Sequence, residues 1–100
     1  MYMEVEFAPK IKKKAENPKK HLGKLEKAFK CTIDYMLVVP SLDSLGAEKP
    51  FCRHKLTGDK KGMWAIRLSG NWRMILQPLD GEEAPSTVTK VRVIDIEDYH

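Results

Sequence analysis

The sequence predicts an α+β fold in which a short strand and two helices precede an antiparallel sheet. Apolar residues recur at helical spacing between Leu22 and Met36. After Pro50 the apolar residues alternate with polar ones, which is the period of a strand. Helices that are separated along the chain from an antiparallel sheet are typical of the α+β class. The predicted order is β-α-α-β-β-β-β.

The N-terminal elements follow from local signals. Residues 2–7 alternate and predict a strand, which Pro9 ends. Residues 9–16 predict a short first helix. Asn17 and Pro18 form a strong helix start, because an asparagine side chain caps a helix and proline fits its first turn. One second helix is expected to continue until Pro40, with an apolar stripe of Leu22, Leu25, Phe29, Ile33 and Met36.

Four strands are predicted after a connector at residues 41–50. They span residues 51–56, 63–68, 72–77 and 88–97, and the segment Ser69-Gly70-Asn71 predicts a tight hairpin between the middle two. The last strand is apolar on both sides around Val93 and Ile94, which is typical of a central, covered strand. Trp64 and Trp72 are both expected in the core.

Length and composition limit the class of protein. One hundred residues predict a single domain, residues 1–100, and 42% hydrophobic with 32% charged residues suits a soluble globule. The longest apolar run, residues 35–40, is far shorter than the roughly 18 residues of a membrane span. Without a secretory signal, Cys31 and Cys52 are expected as reduced thiols of a cytoplasmic protein. No metal motif, phosphate loop or other cofactor motif is present, so neither a metal nor a cofactor is expected.

The net charge of +4 is divided unevenly along the chain. Residues 10–30 carry nine lysines against two glutamates, a net +7, and residues 49–73 carry seven basic groups against one aspartate, a net +6. Residues 74–100 carry two basic and six acidic groups, a net −4. Two basic blocks favour a polyanionic partner, nucleic acid before membrane, although a solvated lysine-rich helix face explains the first block equally well.

Proton-transferring and phosphate-binding residue types cluster in the predicted sheet. Asp98, Tyr99 and His100 follow the last strand directly, where a frayed polar tail is the alternative interpretation. His54 lies on the first strand of the sheet and could act as a base or simply be exposed. Arg73 could supply a fork of donors to a phosphate or stack outward on a tryptophan.

Three motifs together resemble the HigB branch of the RelE/ParE toxin superfamily. They are Leu56-x-Gly58-Asp59-x-x-Gly62-x-Trp64, Gly70-Asn71-Trp72-Arg73 and Asp98-Tyr99-His100. The resemblance covers roughly residues 50–100 in sequence and the whole chain in the order of its elements. It implies a toxin of a type II toxin–antitoxin system, a ribosome-dependent endoribonuclease that cleaves mRNA without metal by attack of the ribose 2′-hydroxyl.

The same resemblance implies a set of site residues. His54, Asp98, Tyr99 and His100 fall on family active-site positions, and Arg73 on a phosphate-contacting one. Cleavage needs a base, an acid and cations for the phosphorane: His54 or Asp98 could be the base, His100 the acid, and Arg73 with a lysine the cations. The family often has a lysine where this chain has Thr57.

Basic residues outside that set are expected to contact RNA. We predict binding to RNA and the ribosome by eight of them: Lys19, Lys20, Lys24, Lys27, Lys55, Lys60, Lys61 and Arg67. The implied partners are the ribosome, mRNA and a cognate helix-turn-helix antitoxin of the HigA type. Three alternatives stay open: a gyrase-directed toxin of the ParE branch, a non-catalytic RNA- or protein-binding relative, and a basic α+β domain without chemistry.

Overall fold

The computed structural model describes residues 2–98 and confirms the α+β class. Its helices and strands are β1 (Glu4–Phe7), α1 (Pro9–Glu16), α2 (Pro18–Leu22), α3 (Glu26–Met36), β2 (His54–Lys55), β3 (Trp64–Ser69), β4 (Trp72–Pro78) and β5 (Lys90–Asp98). Single 3-10 turns lie at Gly23–Leu25, Leu42–Ser44, Gly58–Lys60 and Pro85–Thr87. Within residues 2–98, every helix is too short or too polar to cross a membrane.

The five strands form one mixed sheet in the order β1-β5-β4-β3-β2. Strands β2 to β5 pair antiparallel, as the sequence predicts. Strand β1 instead joins the edge of the sheet parallel to β5, with Val5 opposite Val91. The helices between β1 and the rest of the sheet make this parallel pairing possible, because parallel strands need a long crossover. Strand β5 is therefore an interior strand between β1 and β4, as its apolar character predicts.

The second helix is interrupted, which differs from the single helix predicted up to Pro40. Gly23 has a φ of +51°, a left-handed backbone angle that glycine adopts without strain, and it separates α2 from a 3-10 turn and α3. Helix α3 then ends at Met36, four residues before the proline. Beyond it the carbonyl of Val39 accepts a hydrogen bond from the amide of Met3, which turns this segment toward β1.

The first strand of the predicted C-terminal sheet is also shorter than expected. Only His54 and Lys55 pair with β3, whereas residues 51–56 were predicted. Cys52 has a φ of +49°, which is uncommon for a residue with a Cβ and breaks the extended backbone just before the strand. Phe51 still bonds to the sheet, since its carbonyl accepts from the amide of Arg67 at 2.6 Å.

The helices bury the predicted apolar stripe against one face of the sheet. Leu25, Phe29 and Met36 are buried, and Leu22 and Ile33 pack against the same cluster. Strands β3, β4 and β5 contribute residues from one side of the sheet, among them Trp64, Ile66, Met74, Leu76, Val91, Val93 and Ile96. The expectation for the second tryptophan is wrong: Trp64 is 7% exposed, but Trp72 is 37% exposed.

A one-residue bulge in β5 decides which of its side chains enter the core. Leu76 of β4 pairs with Val93 and Ile75 pairs with Asp95, so Ile94 is the extra residue. Strict alternation after Val93 would send Asp95 into the core. The bulge shifts the alternation by one residue, and Ile96 is buried instead.

The loop between β4 and β5 is fastened by Asp80. One carboxylate oxygen accepts from the backbone amides of Thr89 and Lys90 at 2.8 and 2.9 Å, and the other accepts from the Thr89 hydroxyl. Burial alone would raise the pKa of Asp80, but these hydrogen bonds and the nearby Lys90 charge outweigh it and lower the pKa. The Asp80 carboxylate therefore fixes the start of β5.

Replacing Asp80 by alanine leaves two backbone amides without their acceptor. We expect the free energy of unfolding in urea at pH 7 to fall by about 1–3 kcal/mol. Because folding lowers this pKa, the stabilisation is complete above the usual value of 3.8 and is lost as the pH falls through the folded value. The difference in free energy of unfolding between wild type and Asp80→Ala should therefore become smaller in acid.

Exposed Asp59 supplies the matched control for this prediction. Asp59→Ala should change stability at pH 7 by no more than about 0.5 kcal/mol. An Asp80→Ala protein as stable as wild type at pH 7, or a difference that widens in acid, would contradict the interpretation.

Candidate active site

The sheet face that points away from the helices carries the candidate site. We call it the open sheet face and define it by Ala65, Arg67, Arg73, Ile75 and Glu97. These residues alternate with the core residues of β3 and β4 or pair with each other across the strands. Arg67 is opposite Arg73, and Arg73 is opposite Glu97, so two cations and one carboxylate form a row across three strands.

The two arginines converge at the hairpin between β3 and β4. Nε of Arg67 donates to the carbonyl oxygen of Gly70 at 3.1 Å, and Nη1 of Arg73 donates to the same oxygen at 3.2 Å. Nη1 of Arg73 also donates to the carbonyl of Trp72 at 3.2 Å. Like charges directly opposite each other on a sheet are unfavourable, and Glu97 opposite Arg73 supplies a nearby anion. Because guanidinium groups also bind phosphate oxygens through a planar fork of donors, the two arginines are candidate phosphate-binding residues.

His54 lies on the same side of the sheet, at its β2 edge. It pairs with Ala65, so Arg67 is its diagonal neighbour, at a Cα separation of roughly 7–8 Å in such an arrangement. Nδ1 of His54 is 3.2 Å from the carbonyl oxygen of Cys52. A carbonyl only accepts, so this bond requires a proton on Nδ1, which leaves the lone pair of Nε2 in the neutral ring available to accept a proton.

The turn between β2 and β3 reaches over the open sheet face. Lys60, from that turn, forms an ion pair with both carboxylate oxygens of Glu97 on β5. Ala65 and Ile75, which lie on this face between β2 and β5, are fully buried. Because the centre of this face is covered, its polar groups lie at two places: the end with the β3–β4 hairpin and the edge formed by β2.

Asp98 occupies a different position from the arginines. It is the last residue of β5, is exposed, and pairs with Trp72, so it lies on the side of the sheet opposite to Arg73. The predicted site residues Tyr99 and His100 lie outside the described residues. The structure thus places His54, Arg67 and Arg73 on one face of the sheet, with Lys60 nearby, and Asp98 on the other face at the end of β5.

The remaining predicted basic residues divide between two regions. Four exposed lysines, Lys19, Lys20, Lys24 and Lys27, lie on the helical layer. Lys55 and Lys61 are exposed on either side of the β2–β3 turn, beside the equally exposed Thr57. They line a cavity of about 880 Å³ between this turn and the β4–β5 loop. The ammonium of Lys55 is 5.4 Å from the ring centroid of Trp64, within cation–π range.

Two residues of this region were missed by sequence reasoning. Glu97 gives no sign of its role, because only the strand register places it beside Arg73 and Lys60. Arg53 precedes His54 and fastens the connector: its Nη1 donates to the carbonyls of Leu42, Asp43 and Leu45 at 2.9–3.4 Å. Its guanidinium also lies 5.4 Å from the Trp64 ring centroid. Arg53 is therefore a support of the site and not part of its open surface.

The cysteines and the possible metal ligands complete the description of the site region. Cys31 and Cys52 are free, Cys31 exposed and Cys52 half-buried. Across residues 2–98, no three or more His, Cys, Asp or Glu side chains are grouped so that they could hold a metal ion.

Comparison with known proteins relates this geometry to a group of toxins. No family model matches the chain. An endoribonuclease HigB from Proteus vulgaris is 34% identical over 47 residues, which are 47% of this chain and 42% of that protein. The matched stretch is thus less than half the length of that curated relative.

Solved structures of similar fold cover nearly the whole chain. A YoeB/ParE toxin from Agrobacterium tumefaciens superposes with a TM-score of 0.64 at 12% identity, covering 98% of this chain and all of the other. The toxin in the E. coli DinJ–YafQ toxin–antitoxin complex gives 0.64 at 14% identity, covering 98% and 93%. The Staphylococcus aureus YoeB–YefM complex gives 0.61 at 14% identity, covering 100% and 99%. At such identities these matches establish the fold.

The sequence match to an endoribonuclease HigB bears out the resemblance to the RelE/ParE toxins, and the structural matches show that the chain has the fold of the YoeB and YafQ proteins.

Proposed function

We propose that this protein is the toxin of a type II toxin–antitoxin system and cleaves mRNA on the ribosome. The observation that carries the proposal is the convergence of Arg67 and Arg73 on one carbonyl, on the face that also presents His54. The match to an endoribonuclease HigB over 47 residues supports the same activity.

The proposed reaction is attack of a ribose 2′-hydroxyl on the adjacent phosphate. A base removes the 2′-hydroxyl proton, the 2′-oxygen bonds to phosphorus, and the bond from phosphorus to the 5′-oxygen breaks. An acid then protonates the departing 5′-oxygen. This step requires a base, an acid and cations, and it calls for no metal ion.

The chain offers a candidate for each requirement. Nε2 of His54, with Nδ1 held by the Cys52 carbonyl, is one candidate base, and Asp98 at the end of β5 is the other. Arg67 and Arg73 stabilise the charge that develops on the phosphate oxygens. His100 is the proposed acid and Tyr99 a further site residue, both from the sequence motif.

Thr57 replaces the lysine that often occupies this position among such toxins. Lys55 and Lys61 flank it and are exposed, whereas the ammonium of Lys60 is already engaged by Glu97. Lys55 or Lys61 is therefore the cation that we propose to assist the arginines. We therefore expect the cleavage rate to depend more strongly on Arg67 and Arg73 than it does in toxins that have the lysine at this position.

The proposed partners are an antitoxin, the ribosome and mRNA. The YoeB–YefM and DinJ–YafQ structures are toxin–antitoxin complexes, which supports an antitoxin for this chain. We propose a helix-turn-helix antitoxin of the HigA type, on the resemblance to HigB. Ribosomal RNA would meet the exposed lysines of the helical layer, and the location of action would be the cytoplasm.

Removing the Arg73 guanidinium should slow cleavage. We expect Arg73→Ala to reduce mRNA cleavage on purified ribosomes roughly 10²–10³-fold, the usual effect of losing one donor to a transition-state oxyanion. Arg73→Lys should fall in between, because lysine keeps the charge but loses the planar fork. Primer extension on the cleaved mRNA measures the rate.

Arg92 provides the matched control, since it is an arginine of β5 that pairs with Glu6 away from the site. Arg92→Ala should cleave at the wild-type rate. Wild-type cleavage by Arg73→Ala would refute the proposed site, and growth arrest without new mRNA ends in cells expressing the wild type would favour a gyrase-directed or purely binding toxin.

Reversing charge on the helical layer should weaken ribosome binding. Changing Lys19, Lys20, Lys24 and Lys27 together to glutamate removes four exposed cations from one surface. For phosphate contacts, the slope of log affinity against log salt should become shallower by about 3 between 50 and 200 mM salt. Equilibrium binding to ribosomes over that range checks this, and an unchanged slope would show that these lysines do not contact RNA.

A further inference from the structure

A cleft on the helix side of the sheet combines an exposed aromatic ring with a group of basic side chains. It has a volume of about 380 Å³ and lies between the helices and the end of β4. Trp72 forms one wall, and Leu22 and Leu25 contribute apolar surface. Trp72 is 37% exposed, so part of a large aromatic side chain is left open to solvent. The volume falls within the ~300–1,000 Å³ of typical small-ligand sites.

The ionisable side chains among the described residues that line this cleft are all basic. Lys14 from α1, His21 from α2 and Lys24 from the following turn all line it. Among the described lining residues there is no carboxylate. Asp98 is the β5 residue that pairs with Trp72. It lies at the end of the strand and does not line the cleft. The cleft is therefore suited to an anionic ligand with a flat apolar part.

We propose that this cleft binds one unpaired RNA nucleotide, with its base stacked on Trp72 and its phosphates near Lys14 and Lys24. Stacking on an exposed aromatic side chain, combined with lysines along the backbone, is the general way in which proteins hold single-stranded nucleic acid. An acidic peptide could satisfy the lysines, but it would leave the exposed part of the Trp72 ring without a planar partner. The proposal rests on the proposed RNA-cleaving function and extends it to a second contact.

The position of Trp72 relates this cleft to the candidate active site. Trp72 and Arg73 are consecutive residues of β4, and successive side chains of a strand point to opposite faces. The ring thus lies on the helix side while the guanidinium lies on the open sheet face, at the same end of the sheet. An RNA strand that passes around this end meets both. The cleft would hold a nucleotide flanking the cleavage point or one projecting from ribosomal RNA.

Tryptophan fluorescence tests the proposal on the purified full-length protein in a His54→Ala background. A single-stranded RNA hexamer is titrated at low salt, and quenching is measured. Trp64 is buried, so the exposed Trp72 should account for most of the change. We expect Trp72→Phe to abolish the quenching and, by filter binding, Trp72→Ala to weaken affinity at least about fivefold, the low end of the effect of losing one base stack.

Paired lysine variants separate the cleft from general charge. Lys14→Gln and Lys24→Gln should each weaken hexamer binding severalfold. Lys13→Gln, an exposed lysine of the same helix that does not line the cleft, should bind like the background protein. Thermal melting of each variant verifies folding. Equal effects of Lys13→Gln and Lys14→Gln, or quenching that survives in Trp72→Phe, would overturn the proposal.

Two further experiments identify the source of the nucleotide and show which of the two proposals fails. The protein is crosslinked to stalled ribosomes by ultraviolet light, and the crosslinked RNA is sequenced; Trp72→Phe should lose the crosslink. Crosslinked mRNA would assign the cleft to a nucleotide flanking the cleavage point, and crosslinked ribosomal RNA would assign it to a projecting nucleotide. Binding of an acidic peptide but not of RNA would overturn the RNA assignment. Hexamer binding at Trp72 without mRNA cleavage by the wild type would support the cleft and refute the nuclease, whereas cleavage without binding or crosslinking at Trp72 would refute the cleft alone.

Discussion

The bulge in β5 is the constraint on which the arrangement of this protein depends. This strand pairs with β1 on one side and with β4 on the other. The alternation of its side chains between the two faces therefore sets the register of both neighbours. One extra residue at Ile94 lets Val91, Val93 and Ile96 all enter the core. The same shift places Glu97 opposite Arg73, where it binds Lys60 and holds the β2–β3 turn across the open sheet face.

Ion pairs explain how the acidic C-terminal third fits with the basic remainder of the chain. Asp95 is 3.2 Å from Lys10 of α1, and Glu97 binds Lys60 of the turn after β2. Each pair joins β5 to an element distant in sequence. As partly exposed pairs they contribute modest free energy, but they direct neighbouring loops. Exposed lysines remain on α1, α2 and α3, so the helical layer keeps a basic surface.

The two sides of the sheet are suited to different parts of one task. The open sheet face gathers an imidazole and two guanidinium groups, which can transfer protons and stabilise a phosphate. The helical layer presents lysines and the cleft at Trp72, which we propose as the RNA-binding side. Strand β4 connects the two, because Trp72 and Arg73 alternate across it. In the proposed function, chemistry and binding would thus be separated by the thickness of one sheet.

The sequence by itself determined the fold class, most element positions and the identity of the chemical groups. Helical and strand periods, the Asn17-Pro18 start and the hairpin at residues 69–71 are local features, and the structure confirms them. The break at Gly23, the parallel pairing of β1, the exposure of Trp72 and the role of Glu97 were decided only by tertiary structure. Each of these features depends on which residues distant in sequence the fold brings next to each other. Sequence periodicity carries no record of strand register or of a single-residue bulge, and those two features decide which face a side chain occupies.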